Sequence, residues 1–322
     1  MMSDADLPIT RETFESLCAW VGDREADPKG GIFGPESISW KVNREAALFL
    51  GAGRAALLQL AHPWVAAALD QHSNLRNDPL ERFHNTFRVI FTMVFGTRAQ
   101  ALAASRHLYQ LHSHIEGELP ESAAAYSRGS RYQANEANAL CWVYSTLVES
   151  ALIAYESVLP ALPPNERESY YTESKTMAAL FGIPGELLPR DWEAFERYNL
   201  AMLASGKLGV NTLSRELSQR ILHGRGSWIP IPGWYCALTA AWMPAPLRDA
   251  FELDFGPNEQ AAARRAFARL PQIYPRLPRF LRFVGPYREA IRRLQGRKPG
   301  LLVQVSNRFW MGQRHTMFRG EM

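Results

Sequence analysis

Apolar residues recur every three or four positions along most of the chain, which is the period of an amphipathic α-helix. The pattern breaks at glycine, at proline and at capping residues such as Asp78 and Gly96. Pro63 either begins a helix as its first residue or kinks a longer one. The predicted helices are Thr10–Val21, Arg44–Ala61, Pro79–Phe95, Arg98–Glu116, Ala134–Val158, Pro164–Phe181, Asp191–Ala204, Thr212–Leu222, Trp234–Trp242, Glu259–Leu270 and Tyr287–Gln295.

The composition favours the same fold class. Alanine (41) and leucine (37) greatly outnumber valine (12), isoleucine (12) and threonine (11), which are the residues enriched in strands. Residues 1–40 hold two Gly/Pro clusters and are predicted to form an N-terminal arm with one short helix. Residues 41–322 contain no repeat and no long linker. We therefore predict an all-α protein with a single large helical domain over 41–322.

Cysteine usage and the N-terminus indicate the compartment. The three cysteines, Cys18, Cys141 and Cys236, lie about a hundred residues apart and form neither a CxxC pair nor a disulfide framework. The N-terminal segment is acidic and lacks the basic flank and apolar run of a signal peptide. These features predict a cytoplasmic protein.

Positive charge is concentrated towards the C-terminus, although the formal net charge is only +4. From Glu259 onward there are 14 lysines and arginines against 3 acidic residues. Such a segment can contact nucleic acid, anionic lipid or an acidic ligand, or it can pack on an acidic body as a solvated arginine-rich helix. Because no aromatic-interleaved nucleic-acid motif accompanies it, we expect no nucleic-acid partner.

An uncharged run of 22 residues, Gly226–Leu247, is long enough to span a bilayer but contains four prolines. Its tryptophans suit a membrane surface or the mouth of an apolar substrate site, and a buried core segment has the same composition. The sequence therefore leaves peripheral membrane contact through Trp228–Trp242 open.

A glycine motif near residue 50 resembles a dinucleotide-binding fingerprint. Gly51, Gly53 and Ala56 match GxGxxA, and Asp70 lies near the offset of a ribose-binding acid. The residues on either side lack the β-branched character of the strands that such a site requires. We expect these glycines to permit close approach of another helix or of a flat ligand.

Histidines cluster in one part of the chain. Six of the eight fall within residues 62–114. His112 lies beside Leu108 and Ile115, an apolar setting that suits either a single axial haem ligand or a core residue. In the predicted helix before it, Arg82 and Thr86 share one face, and both side chains need partners if they are buried. The spacings contain no HExxH motif and no ExxH pair.

Several stretches resemble a known family. They are LLQLAHPWVAAALDQHS (Leu57–Ser73), Arg82-xxx-Thr86 through FTMVFGT (Phe91–Thr97), LHSHIEG (Leu111–Gly117), YQANEANALCWVYSTLVESALIAYE (Tyr132–Glu156) and YYTESKTMAALFGIP (Tyr170–Pro184). In order and spacing they resemble the DUF2236 family, which contains the MpaB-type oxygenases and the rubber-cleaving latex clearing protein. The likeness covers roughly residues 40–295.

The resemblance implies a globin-like helical core around a cavity for haem b, with dioxygen as co-substrate. The family's HxxVxG motif falls on residues 112–117. It places the proximal haem histidine at His112, with Ile115 and Gly117 completing the motif. It also implies that Arg82 and Thr86 are the catalytic pair on the oxygen side and contact the cofactor. His62 corresponds to the family's AHP motif, where either a supporting role or a haem-facing role is open.

Two departures from the family pattern bear on function. Asn85 stands where rubber oxygenases carry a lysine, which argues against rubber as the substrate, and Tyr144 replaces a common histidine. The expected function is a haem b-dependent oxygenase acting on an apolar, unsaturated small molecule such as a lipid or isoprenoid. The alternative is a non-catalytic protein of the same fold that binds haem or an apolar ligand.

Overall fold

The computed structural model describes residues 8–24, 27–73, 75, 78–222 and 231–316. This part of the chain is helical apart from one small sheet, which confirms the all-α prediction. The α-helices are α1 (Arg11–Gly22), α2 (Ile38–Asn43), α3 (Ala52–Leu60), α4 (Pro63–His72), α5 (Pro79–Phe95), α6 (Arg98–Ser113), α7 (Ala137–Glu156), α8 (Pro164–Leu180), α9 (Trp192–Ala204), α10 (Thr212–Leu222), α11 (Gly233–Trp242), α12 (Ala245–Ala250), α13 (Pro257–Ile273), α14 (Arg279–Arg282), α15 (Gly285–Leu294) and α16 (Leu301–Met311).

Most predicted helices are present, and two predictions need correction. The predicted helix Arg44–Ala61 is divided into a 3-10 helix, Ala46–Gly51, and α3, because Gly51 packs directly against another backbone. The helix expected to reach Glu116 ends at Ser113 instead. Beyond it, β1 (Glu116–Glu118) pairs antiparallel with β2 (Arg131–Gln133). Pro63 begins α4 and does not kink a longer helix.

Helix α7 forms the centre of the molecule. Its Tyr144 joins a core with α1, α6, α8 and α9, whereas the neighbouring Trp142 joins a second core with α3, α4 and α10. A helix buried on opposite sides must be apolar on both, which explains its composition. By length and composition α7 could also cross a membrane, but 67% of its apolar window is buried inside the structure.

The N-terminal helix α1 belongs to this main body. Its Phe14, Cys18 and Val21 are buried, and it packs on α6 and α8. Thr10 caps the helix by accepting a hydrogen bond from the backbone N–H of Thr13. All three cysteines of the chain are free thiols.

The glycines of the GxGxxA stretch permit close contact between helices, as expected. A β-carbon at Gly51 would lie 2.4 Å from the carbonyl oxygen of Ser150 on α7. A β-carbon at Gly53 would lie 2.7 Å from Oγ1 of Thr239 on α11. Neither distance is possible for a real side chain, so only glycine allows α3 and the segment before it to approach α7 and α11 this closely.

A buried ion pair fixes the C-terminal part of the chain to this body. Glu45 is almost fully buried, and its two carboxylate oxygens accept hydrogen bonds from Nε and Nη2 of Arg282, both at 2.8 Å. The hydroxyl of Tyr274 donates to the same carboxylate at 3.0 Å. Part of the C-terminal positive charge is therefore used in packing, as the arginine-rich helix interpretation expects.

Substituting Gly51 tests the contact with α7. Gly51→Ala should lower the free energy of unfolding by about 2–3 kcal/mol, because the new methyl group overlaps a backbone carbonyl that cannot move away. Gly185→Ala is the matched control, since a β-carbon there meets open space. Urea denaturation of both variants measures the difference. Equal stability of the two variants would contradict the packing described here.

Candidate functional site

Helix α5 positions Arg82 and Thr86. It begins at Pro79, and the Asp78 side chain caps it by accepting a hydrogen bond from the backbone N–H of Glu81 at 2.8 Å. Arg82 and Thr86 follow one turn apart and line the same cavity. The Thr86 hydroxyl donates to the Arg82 carbonyl oxygen at 3.0 Å. Its proton is thereby occupied, and an oxygen lone pair is left for a group in the cavity.

The cavity is large and almost entirely apolar. Its volume is about 360 Å³, within the range typical of small-molecule sites. One wall consists of small residues of α3, among them Gly53 and Ala56. The described lining residues are Phe49, Ala52, Gly53, Ala55, Ala56, Gln59, Leu60, Leu69, Leu75, Pro79, Leu80, Arg82, Phe83, Thr86, Phe87, Leu147, Ile221, Ile231, Pro232, Tyr235, Phe309 and Trp310.

Arg82 is a cation in this apolar setting. Burial lowers the pKa of its guanidinium from the ordinary value, and among the described residues no carboxylate forms an ion pair with it. Arg82 keeps part of its surface accessible, and a charge that loses water without gaining an ion partner destabilises the fold. Such a group is expected where a ligand or a reacting atom provides the missing partner.

His112 lies in the last turn of α6, close to Arg82. Burial first, and then the charge of Arg82, lower the pKa of His112 to about 4. The ring nevertheless keeps part of its surface accessible. With a pKa of about 4, His112 is a neutral imidazole at pH 7. It is not among the residues that line the cavity, and Arg82 connects the two.

The β1–β2 ribbon returns the chain to His112. Asn135, just after β2, places its side chain against the His112 ring, where it partly counters the lowering of the pKa. The Asn135 Oδ1 is buried and has no hydrogen-bond partner of good geometry. Gly117 is required in β1, because a β-carbon there would lie 2.6–2.9 Å from Gln71 and Tyr132 side-chain atoms. The β1–β2 ribbon, in which Gly117 allows close packing, therefore places Asn135 beside His112.

His62 occupies a different place. It is fully buried next to α4, where its Nε2 lies 3.3 Å from the Tyr126 hydroxyl and its ring packs near Trp64. It does not line the cavity, and its Nδ1 has no hydrogen-bond partner among the described residues. The structure thus brings Arg82, Thr86 and His112 together and leaves His62 outside that group, in the position of a supporting residue.

The two departures from the family pattern have separate structural roles. The Asn85 Oδ1 accepts a hydrogen bond from Nη1 of Arg88 at 3.0 Å, and the same arginine donates to the Met311 carbonyl at the end of α16. The Tyr144 hydroxyl lies 2.6 Å from the Ser174 Oγ in the core. The replacement of histidine by tyrosine is therefore accommodated away from the cavity lining.

Sequence reasoning missed two polar residues of the cavity. Tyr235 lies in the uncharged run, and its hydroxyl accepts from the Gly53 N–H at 2.9 Å and donates to the Phe49 carbonyl at 3.0 Å. Gln59 donates to the Thr146 hydroxyl at 3.0 Å. The run was interpreted as a core segment, a membrane contact or a substrate mouth; in its described part Leu238 and Thr239 are buried, and Tyr235 lies on the cavity wall. Trp228 lies outside the described residues, and membrane contact through Trp228–Trp242 stays a prediction.

Comparison with known proteins identifies the family. The family model described as the catalytic domain of the ER-bound oxygenase MpaB/B′ and rubber oxygenase matches residues 40–273. The chain belongs to this family. It therefore carries the catalytic domain of an oxygenase family, whose match covers α3 to α13 and includes His62, Arg82, Thr86 and His112. No curated protein and no solved structure gave a significant match.

The buried His62 gives stability a pH dependence. Burial, followed by the charge of Lys207, lowers the pKa of His62 from 6.5 to about 4 in the folded protein. The unfolded chain therefore binds a proton at a higher pH than the folded chain. The free energy of unfolding should fall as the pH drops from about 6.5 to 4, with a contribution from this residue on the order of 2–3 kcal/mol.

Urea denaturation across this pH range measures the effect of His62. The His62→Gln variant should show a smaller fall than the wild-type protein, since it lacks the titrating ring. Tyr126→Phe is the control: it keeps the buried imidazole and should keep the wild-type fall. An unchanged slope in His62→Gln would mean that this ring does not become charged on unfolding.

Proposed function

We propose that this oxygenase-family protein is a haem b-dependent enzyme that uses dioxygen to oxidise an apolar, unsaturated small molecule such as a lipid or isoprenoid. The observation that carries the proposal is Arg82, which has no ion-pair partner among the described residues, on the wall of an apolar cavity and next to the neutral His112. An apolar cavity selects an apolar substrate by excluding water, and the single cation provides a place where negative charge can develop.

The residues near His112 fit haem. A neutral imidazole is the form that ligates iron, and the unpartnered Oδ1 of the neighbouring Asn135 would accept a hydrogen bond from one ring nitrogen and leave the other for the metal. In the described part of the chain no group of three or more His, Cys, Asp or Glu residues could hold a bare ion. Haem needs one axial histidine and extensive apolar contact, and Arg82 on the apolar cavity wall is the residue that lies next to His112. When bound, haem would supply the iron chemistry that activates dioxygen.

The protein's own groups would then act on the oxygen and on the substrate. Arg82 can donate hydrogen bonds to an oxygen atom that gains negative charge, because no other described group takes its protons. The free lone pair of Thr86 can accept a hydrogen bond from a protonated group in the cavity, such as a hydroxyl. The apolar wall holds the substrate in place by van der Waals contact and keeps water away from the reacting atoms.

The cavity also bears on the choice of substrate. Asn85 is used in a hydrogen bond to Arg88 and carries no charge, unlike the lysine that the resemblance associates with rubber cleavage. A volume of about 360 Å³ suits a small molecule or one end of a chain. Both observations support a lipid or isoprenoid over a polymer.

Replacing His112 tests the cofactor site. The protein expressed with ample haem precursor should show a Soret band, and a pyridine haemochrome assay should give near-stoichiometric haem b. His112→Ala should lose most of this haem because it removes the axial ligand. His114→Ala is the matched control, because His114 lies two residues away and is exposed. A normal haem spectrum in His112→Ala would show that another residue holds the iron.

Replacing Arg82 tests the reaction. Arg82→Ala should retain haem but consume oxygen about 10²–10³-fold more slowly with an active alkene, the loss typical of removing one charge-stabilising donor. Arg82→Lys keeps the positive charge but loses the planar guanidinium group. Its rate of oxygen uptake should lie between the rates of the wild-type protein and of Arg82→Ala. Oxygen uptake is followed with an electrode over a panel of unsaturated lipids and isoprenoids. Haem binding without uptake for any member of the panel would favour the non-catalytic binding protein.

A further inference from the structure

The helix α16 presents apolar side chains to solvent. Leu301, Leu302, Val305 and Phe309 are 76%, 66%, 59% and 48% exposed. At the helical period these positions form one continuous face, which we call the outer face of α16. The opposite side of the helix is buried against α5 and α15. No described residue covers the outer face, although large exposed apolar patches usually mark an interaction site.

Basic residues surround the outer face. Arg297 and Lys298 are exposed just before the helix, and Arg308 is exposed in its last turn. The Arg292 guanidinium lies beside Gly300, where the helix begins. The helix itself has no acidic residue. The nearby Glu289 is directed inward and accepts a hydrogen bond from the Thr316 hydroxyl at 2.8 Å.

The same helix forms part of the cavity wall. Phe309 and Trp310 both line the cavity, and the Trp310 ring stacks on Phe49 with centroids 3.6 Å apart. The carbonyl of Phe309 interacts with Nε2 of His84 at 3.0 Å, which fixes the end of the helix to α5. Phe309 is therefore both exposed on the outer face and in contact with the cavity. One apolar side chain thus contacts both solvent and the proposed substrate site.

We propose that the outer face of α16 docks on an anionic lipid surface, and that Phe309 and Trp310 form the entrance through which an apolar substrate passes from the bilayer into the cavity. Docking follows from the exposed apolar face and its basic border, a combination that binds anionic membranes. The entrance role rests in addition on the proposed function. A second copy of the chain is a poorer occupant, because it would bring two sets of basic residues together.

This surface differs from the one suggested by the tryptophans of residues 228–242. It lies beyond the part of the chain that matches the oxygenase family, which ends at residue 273. The family match therefore gives no information about it, and the docking part of the proposal depends on the exposure of α16 and on the basic residues around it.

Sedimentation with vesicles tests the docking. The full-length purified protein should bind vesicles of phosphatidylcholine mixed with phosphatidylglycerol and bind weakly to phosphatidylcholine alone. The double variant Leu302→Glu, Val305→Glu should bind the mixed vesicles more than ten-fold less tightly. Leu200→Glu on α9 is the matched control, because Leu200 is also 66% exposed, and it should bind as the wild-type protein does.

A second pair of substitutions tests the basic border. Removing Arg297 and Lys298 as the double glutamine variant should weaken binding to the mixed vesicles on the order of ten-fold. Binding to phosphatidylcholine alone should change little. All of these positions are exposed, and thermal unfolding confirms that each variant folds as the wild-type protein does.

Two results would overturn the proposal. One is wild-type protein that fails to bind the mixed vesicles, or a Leu302→Glu, Val305→Glu variant that binds them unchanged. The other is a dimer in sedimentation velocity that this variant dissociates without any lipid binding, which assigns the face to a second copy. The assay needs neither haem nor turnover, so a failure of the haem assignment leaves its outcome intact.

Discussion

The close approach of the segment Ala46–Leu60 to α7 is the contact on which the rest of the structure depends. Gly51 meets the Ser150 carbonyl at a distance that excludes any side chain, and Gly53 accommodates α11 in the same way. The adjacent residues of α3 are also small, and their outward side forms one wall of the cavity. Larger residues would both separate the helices and fill the space between them. The same short sequence thus sets the packing distance and leaves room for a ligand.

The neutrality of His112 depends in part on the charge of Arg82. Burial disfavours the protonated imidazole, and the neighbouring guanidinium disfavours it further. An arginine beside the histidine therefore has two effects: it supplies the one cation of the described cavity wall, and it keeps the imidazole in its ligating form. An aspartate in place of Arg82 would reverse the second effect by favouring the imidazolium. This effect gives a physical reason for the two residue types to occur together where an imidazole has to stay neutral.

The helices could be predicted from the sequence because each combines a period with a clear start and stop. Helix α5 matches its predicted bounds, since Asp78, Pro79 and Gly96 punctuate it. The β1–β2 ribbon was missed because three-residue strands are too short to show a period of two. Helix α16 was missed for the opposite reason: apolar residues occur on both its exposed and its buried sides, so the pattern has no single face.

The part of the candidate site that lies on a single helix could be predicted from the sequence, and the rest could not. Arg82 and Thr86 share a face of one helix, so their proximity follows from helical geometry. Gln59 and Tyr235 both line the cavity, but they lie on helices that are far apart along the chain. No local sequence pattern indicates that they come together. The clustering of histidines along the sequence did not predict a cluster in space, because His62 packs on Tyr126 while His112 lies beside Arg82.

The basic residues concentrated towards the C-terminus fall into two groups with different contacts. Arg282 is paired with the buried Glu45, and Arg293 donates to the Phe95 carbonyl, so these two attach the C-terminal helices to the body. Arg297 and Arg308 are exposed and border the outer face of α16. If these arginines only packed on the body of the protein, the exposed apolar helix face between them would have no explanation. Some basic residues thus hold the C-terminal helices in place, and others border an exposed apolar face. This combination favours contact with an anionic lipid surface over exposure to water alone.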